Sequence, residues 1–345
     1  MRTHVGIVGT GIYIPEKRMA AKQIADATNG NWTEDAVIQK LGIVEKTIPG
    51  EKDGTQEMGV YAGIDALRNT GINPKEIDLL LCIGEEWKEY PLTTSGIYIQ
   101  EKIGAVNAWA LDLQQRCCTT VAAMKIAKDM MLSDSEINTV MIVGGYRNGD
   151  FIDFSDKAMS MMYNLSAGGG SIILQKNLGR NELLGSHIMT DGTMARDAGV
   201  EFGGTCKPIT KDNVDKAYKS LRLFDEQHMK DRLNEVSMNN WMQCIDKAFQ
   251  KSLVDKKELG FLAVLHFKRS MYEYMLELLG LTKEQSLYLE NYGHMGQIDQ
   301  ILSLHLAQNK GKVKEGTIVS MIAAGIGYAW AANVIRWGKL VDSKV

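Results

Sequence analysis

Short apolar runs bounded by glycine or histidine recur along this chain, with stretches of helical periodicity between them. Residues 77–84, 140–145, 167–174, 261–266 and 317–327 are such runs. Residues 33–41, 56–68, 94–103, 224–253, 271–279 and 298–308 carry the helical spacing, and Gly42 and Gly280 stop two of these helices. A chain that alternates in this way packs helices on sheets, so a layered α/β architecture is expected. The opening run, Val5-Gly-Ile-Val-Gly-Thr-Gly11, lacks the third glycine and the following helix of a nucleotide loop. Residues 181–223 are polar and irregular, and read as a boundary between halves or a surface insertion. Residues 330–337 close the pattern. With 345 residues the chain can hold one large duplicated domain or two medium ones.

The bulk properties exclude several classes of function. A net charge of -3 offers no electrostatic footing for nucleic acid. No apolar run reaches the roughly 20 residues of a membrane-spanning helix. The N-terminus runs straight into a strand, with no signal peptide expected. Cys82, Cys117, Cys118, Cys206 and Cys244 form no C-x-x-C pair, and their odd number suits a reducing cytoplasm better than a disulfide framework. No spacing of histidine, cysteine and acids fits a metal site. The 34 glycines point to tight turns and close backbone approaches.

Chemistry concentrates in Asp112-Leu-Gln-Gln-Arg-Cys117-Cys118-Thr119-Thr120. Residues 105–111 before it read as a strand; after it, Val121, Ala122, Met124, Ala127, Met130 and Met131 recur at helical spacing. A cysteine on a turn from strand to helix meets unpaired N–H groups and the positive end of the helix dipole, which favour thiolate. Cys117 is therefore a candidate nucleophile, although a buried structural cysteine is the commoner use of the residue. His266 ends a buried strand, and His294 stands in the turn Asn291-Tyr-Gly-His294. Each histidine alone is as consistent with a hydrogen-bonded structural role. Together with Gly325-Ile-Gly327, whose N–H groups could face an oxyanion, they point to acyl transfer through a thioester.

These motifs resemble the type III β-ketoacyl-acyl-carrier-protein synthases of the thiolase superfamily. The anchors are the Asp112…Cys117 elbow, Val264-Leu-His266, Asn291-Tyr-Gly-His294, and the closing Ala324-Gly-Ile-Gly-Tyr-Ala-Trp330. The resemblance implies a five-layer αβαβα fold built from two similar halves, residues 1–178 with the elbow and 179–345 with the histidines. It implies a homodimer that needs no cofactor and takes acyl-CoA or acyl-carrier-protein thioesters and a malonyl thioester as substrates. The activity implied is decarboxylative Claisen condensation to a β-ketoacyl product. Cys117 matches the acylated nucleophile, with Cys118 as a neighbour, and His266 matches the catalytic histidine. The backbone N–H groups of Cys117 and Ile326 match the oxyanion hole.

This chain also departs from the family. His294 stands where the family has asparagine, and Met295-Gly296 replace a Thr-Ser pair. Trp32 falls four residues before the place of the tryptophan that stacks on the CoA adenine, and Lys40 replaces its arginine companion. Glu85 and Glu86 occupy a loop where the related 3-hydroxy-3-methylglutaryl-CoA synthases carry a general-base glutamate; a solvated acidic loop is the plainer reading. Tyr90 resembles the residue that lines the acyl pocket from across the dimer interface. Met159, Met161 and Met162 could line the same pocket or pack in a core. Three alternatives therefore stand beside condensation: acyl transfer to oxygen or nitrogen, an aldol-type condensation through Glu85 or Glu86, and a catalytically silent partner subunit.

Overall fold

A computed structural model describes residues 3–340. Two units of the same plan follow one another. The first contains β1 (Val5–Tyr13), α1 (Thr55–Thr70), β2 (Leu79–Cys82), α2 (Ser95–Ile103), β3 (Trp109–Asp112), α3 (Thr119–Ser133), β4 (Thr139–Tyr146) and β5 (Gly168–Lys176). The second contains β6 (Arg180–Thr190), α4 (Glu226–Ser252), β7 (Leu259–Val264), α5 (Arg269–Leu278), α6 (Asp299–Asn309), β8 (Ile318–Gly325) and β9 (Ala329–Lys339).

The strand order repeats as well. In the first unit β3, β2 and β4 pair in parallel, and β4, β5 and β1 continue antiparallel. In the second, β7 and β8 are parallel, and β8, β9 and β6 continue antiparallel. A parallel bridge from Leu262 to Ser286 stands where the first unit has β3. Among the described residues one bridge, Gly6 to Glu182, joins the two sheets edge to edge. Helices α3 and α6 touch strands of both units and form the middle layer, while α1 covers the first sheet and α4 the second. The result is the thiolase-like five-layer αβαβα arrangement.

Three glycines make the close backbone approaches expected of the residue. Gly11, Gly145 and Gly169 lie within strands β1, β4 and β5 rather than in turns. A side-chain carbon on Gly11 would run into the backbone of Ala66, on Gly145 into that of Thr55, and on Gly169 into that of Met58. All three contacts belong to α1, which the bare strands let sit directly on the sheet.

Two boundaries also move. Residues 181–223 are not simply a boundary or insertion, because β6 takes their first ten positions. Its sequence, Arg-Asn-Glu-Leu-Leu-Gly-Ser-His-Ile-Met-Thr, hides a strand because polar Asn181 and Ser186 are buried in it beside Leu183 and Leu184. The strand before the elbow is β3, starting at Trp109, because Ala105 and Ala108 close a turn after α2.

Candidate active site

The elbow is built from local hydrogen bonds. Leu113 N–H donates to the Cys82 carbonyl at 2.8 Å, which ties the end of β3 to β2. The Asp112 carboxylate accepts from Ser95 and Gly96 N–H at 2.9 and 2.7 Å and so caps α2. Arg116 then adopts φ +50°, an uncommon left-handed conformation for a residue with a side chain. One 3₁₀ turn, Arg116–Cys118, leads into α3. Thr119 holds that turn closed: its hydroxyl accepts from Gln115 N–H at 2.9 Å and donates to the Arg116 carbonyl at 2.6 Å. Cys117 is thereby set at the mouth of α3, half-buried, as the spacing predicts.

Cys118 points the other way. Its thiol donates to the Ala329 carbonyl, and burial pushes its pKa well above the ordinary thiol value. A thiol so held is no nucleophile.

His294 meets Cys117: its Nε2 lies 3.2 Å from the Cys117 Sγ. The other nitrogen, Nδ1, donates to the Asp299 carboxylate at 2.6 Å. Burial alone would push the His294 pKa down. The Asp299 carboxylate and Cys117 outweigh it and raise the ring to about 10. Thr120 fastens the elbow to the same turn by donating to the Gln297 carbonyl at 2.6 Å.

His266 lies deeper, and both its ring nitrogens bond within the protein. Nδ1 accepts from the Asn164 amide at 3.0 Å, and Nε2 donates to the Gly42 carbonyl at 3.1 Å. Burial lowers its pKa to about 4, so the ring is neutral near pH 7. No hydrogen bond joins its ring to Cys117 among the described residues.

Gly325, at the end of β8, approaches the elbow so closely that an added side-chain carbon would sit 2.9 Å from the Cys117 amide nitrogen. Ile326 follows directly. A cleft of about 290 Å³ opens here, lined by Gln114, Arg116, Thr190, Ile326 and Tyr328. A larger cavity of about 480 Å³, lined by Lys125, Lys128, Lys251 and Arg336 among others, contains none of the candidate catalytic residues.

The two loop glutamates separate. Glu85 is buried, and Arg116 donates to its carboxylate at 3.0 Å; burial raises the carboxyl pKa while Arg116 opposes the rise. Glu86 is exposed and binds the other arm of the same guanidinium at 3.0 Å. Tyr90 is exposed on the loop, as is Met161, while Met159 and Met162 pack in the core. Trp32 rests edge-on against Tyr163, ring centroids 6.1 Å apart, and Lys40 is exposed.

Asp299, Arg116 and Asn164 bond to the candidate residues His294, Glu85 and His266, and no motif in the sequence assigns them a function. Asp299 alone carried a signal, an acid five positions after His294 at a helix start.

Among the described residues no cluster of histidine, cysteine and acids could hold a metal ion, and no helix is long and apolar enough to cross a membrane.

Comparison with known proteins covers both units. Residues 111–192 match the family model for 3-oxoacyl-[acyl-carrier-protein] synthase III, and residues 249–337 match the model for its C-terminal part. The chain is 23% identical over 342 residues to the β-ketoacyl-[acyl-carrier-protein] synthase III of Syntrophomonas wolfei, covering 98% of this chain and 99% of that protein. It is 24% identical over 341 residues to the same enzyme of Clostridioides difficile, with 98% and 99% covered. Among solved structures, 3-oxoacyl-[acyl-carrier-protein] synthase III of Aquifex aeolicus superposes with a TM-score of 0.83 at 20% identity, over 96% of this chain and 100% of that one. One matched segment carries the elbow and the other carries both histidines, and the chain belongs to the 3-oxoacyl-[acyl-carrier-protein] synthase III family of condensing enzymes.

Proposed function

We propose that Cys117 is the residue acylated in a decarboxylative condensation, with His294 as its proton partner. The observation that carries this reading is the 3.2 Å contact between Cys117 Sγ and His294 Nε2 at the mouth of α3. The thiolate attacks the carbonyl of an acyl-CoA or acyl-carrier-protein thioester. The C–S bond to the carrier breaks, and the departing thiolate takes the Nε2 proton of His294. The Asp299 carboxylate on Nδ1 still favours the protonated ring once Cys117 is acylated, so solvent restores that proton. A malonyl-type thioester then loses carbon dioxide, and the electron pair left behind forms an enolate whose oxygen accepts from Nε2–H. The enolate carbon attacks the acyl carbon, the bond to Cys117 breaks, and a β-ketoacyl thioester leaves. The Cys117 and Ile326 N–H groups hold the intermediate oxyanion; one such donor typically contributes ~3 kcal/mol.

Transfer to an oxygen or nitrogen acceptor is less well supported, because it needs a base, and Asp299 favours the protonated ring. The aldol-type reading needs a free carboxylate, whereas Glu85 is held by Arg116 and Glu86 lies outside. A silent subunit would have no use for the Cys117–His294 pair.

The open edge of β3 fits a second copy of the chain; Trp109 on it is exposed, as are Val106, Tyr90 and Leu92 in the segments leading to it. The five free cysteines suit a cytoplasmic setting. Mass spectrometry of the intact protein after exposure to acyl-CoAs and acyl carrier proteins tests the reading, beside Cys117→Ala. Acyl mass is expected on the wild type alone, followed by release of β-ketoacyl product on adding malonyl thioester. Loading that survives in Cys117→Ala would sink the assignment.

A further inference from the structure

We infer that Asp299 is the positioning residue that holds His294 with its Nε2–H directed at Cys117. The inference rests on Cys117 being the reacting thiol.

Asp299 is fully buried at the first position of α6. One carboxylate oxygen, Oδ2, accepts from His294 Nδ1 at 2.6 Å and from His266 N–H at 2.7 Å. The other, Oδ1, accepts from Met295 N–H at 2.7 Å. A single carboxylate thus holds both histidine-bearing segments, but it grips the ring of one and only the backbone of the other. Nδ1 of His294 must carry a proton to make its bond. A neutral ring would leave Nε2 bare, able to accept and unable to donate. An adjacent carboxylate in a dry site favours the doubly protonated ring, and then Nε2–H faces Cys117 as a donor. An asparagine at this turn position would offer a side-chain N–H in the same place. His294 with Asp299 supplies that donor by charge instead.

His266 is arranged for the opposite outcome. Its Nε2–H is spent on the Gly42 carbonyl, and its Nδ1 accepts from Asn164, so both nitrogens are satisfied in the neutral ring. A second proton on Nδ1 would require the Asn164 amide to turn its unpartnered Oδ1 to the ring, and burial opposes the added charge. Other groups around His294 do not replace Asp299. Cys117 faces it from the elbow, and Tyr146 packs from β4 at 6.2 Å between ring centroids. His266 opposes it electrostatically, and Glu85 and Arg116 pair with each other further out.

Histidine-selective ¹³C labelling with NMR titration of the wild type reads the two rings without any variant. His294 is expected to stay protonated past pH 9 and His266 to be neutral at pH 6. The alkaline limb of the malonyl-dependent rate should follow His294. In Asp299→Asn, which keeps the size and can still accept from Met295 N–H, that limb should move down by two pH units or more. Asp299→Glu should recover part of the shift. His266→Asn is expected to lower Tm while leaving the limb in place.

An ordinary His294 titration near pH 6.5, or an unmoved limb in Asp299→Asn while Cys117 still loads, overturns the inference and leaves the acyl-cysteine reading intact. If the titration shifts as expected but no acyl group loads, the coupled trio stands and the proposed reaction is what fails.

Discussion

The α-carbon of Gly325 lies so near the Cys117 amide that a methyl group added there would sit 2.9 Å from that nitrogen. Glycine at this place is a matter of room, not of backbone freedom, since the residue is the last of a regular strand. The approach sets the chain leading to Ile326 beside the Cys117 N–H, where two donors could converge on one oxygen. Gly325→Ala should force the elbow and strand apart by some tenths of an ångström. Loading of Cys117 is then expected to slow about 100-fold, the order seen when one oxyanion donor is removed. Tm should fall by only a few degrees. Loading at the wild-type rate, followed by mass spectrometry over time, would show that these donors are not used.

Gly296 makes a different demand. It has φ +57°, and a side-chain carbon on it would collide with the Tyr146 ring. That ring in turn packs beside His294. Gly296→Ala therefore carries both backbone strain and a clash, and the turn must shift to relieve them. Loss of loading by at least tenfold is expected, together with about 2 kcal/mol of stability in denaturant unfolding. Adding Tyr146→Leu should return part of the stability, because it removes the clash; no return would place the cost in the backbone alone.

The Glu85 carboxylate, pinned under Arg116, is expected to steady the elbow instead of removing a proton from substrate. Glu85→Gln keeps a hydrogen-bond acceptor for Arg116 and leaves Glu86 in place. Condensation should persist within about tenfold of wild type, and the product should remain a β-ketoacyl thioester. Normal acyl loading with no condensation would instead make Glu85 the base of an aldol-type reaction. Product analysis by chromatography and mass spectrometry distinguishes the two.

Much of this site could be read from the chain because its parts are local. The elbow is a strand, a turn and a helix in one continuous stretch, and the His294 turn is marked by Gly293 and Gly296. What could not be read depends on distant partners. Whether His266 faces Cys117 is decided by Asn164, 102 positions away, and by Gly42, 224 positions away. Asp299 reaches back across the turn to His294; its place at a helix start is visible in the chain, but no helical or strand period links two residues five apart. Strand β6 was hidden because its buried polar residues are satisfied across the sheet: Asn181 donates to the Ile7 carbonyl and accepts from Gly338 N–H.

Lys46 gives the clearest dependence on pH. Among the described residues no carboxylate pairs with its buried ammonium, which donates to the Tyr163 and Leu165 carbonyls at 2.7 Å each, bracketing Asn164. Burial lowers its pKa from 10.5 to about 7. At pH 6 the group is charged in both folded and unfolded chains, and the full burial cost is felt. Between about pH 7 and 10.5 the folded protein has released the proton and the unfolded chain still holds it, so stability rises with pH across that window. Lys46→Met removes this dependence and also leaves two buried carbonyls without a donor, each costing about 1–3 kcal/mol. The variant is expected to be less stable throughout, and the gap to wild type should widen from pH 7 to pH 9.5 in denaturant unfolding. Its Asn164 loop should also hold His266 less firmly, with a several-fold slower turnover. A gap that stays constant with pH would mean that Lys46 keeps its proton in the fold and that its two carbonyl bonds alone account for its place there.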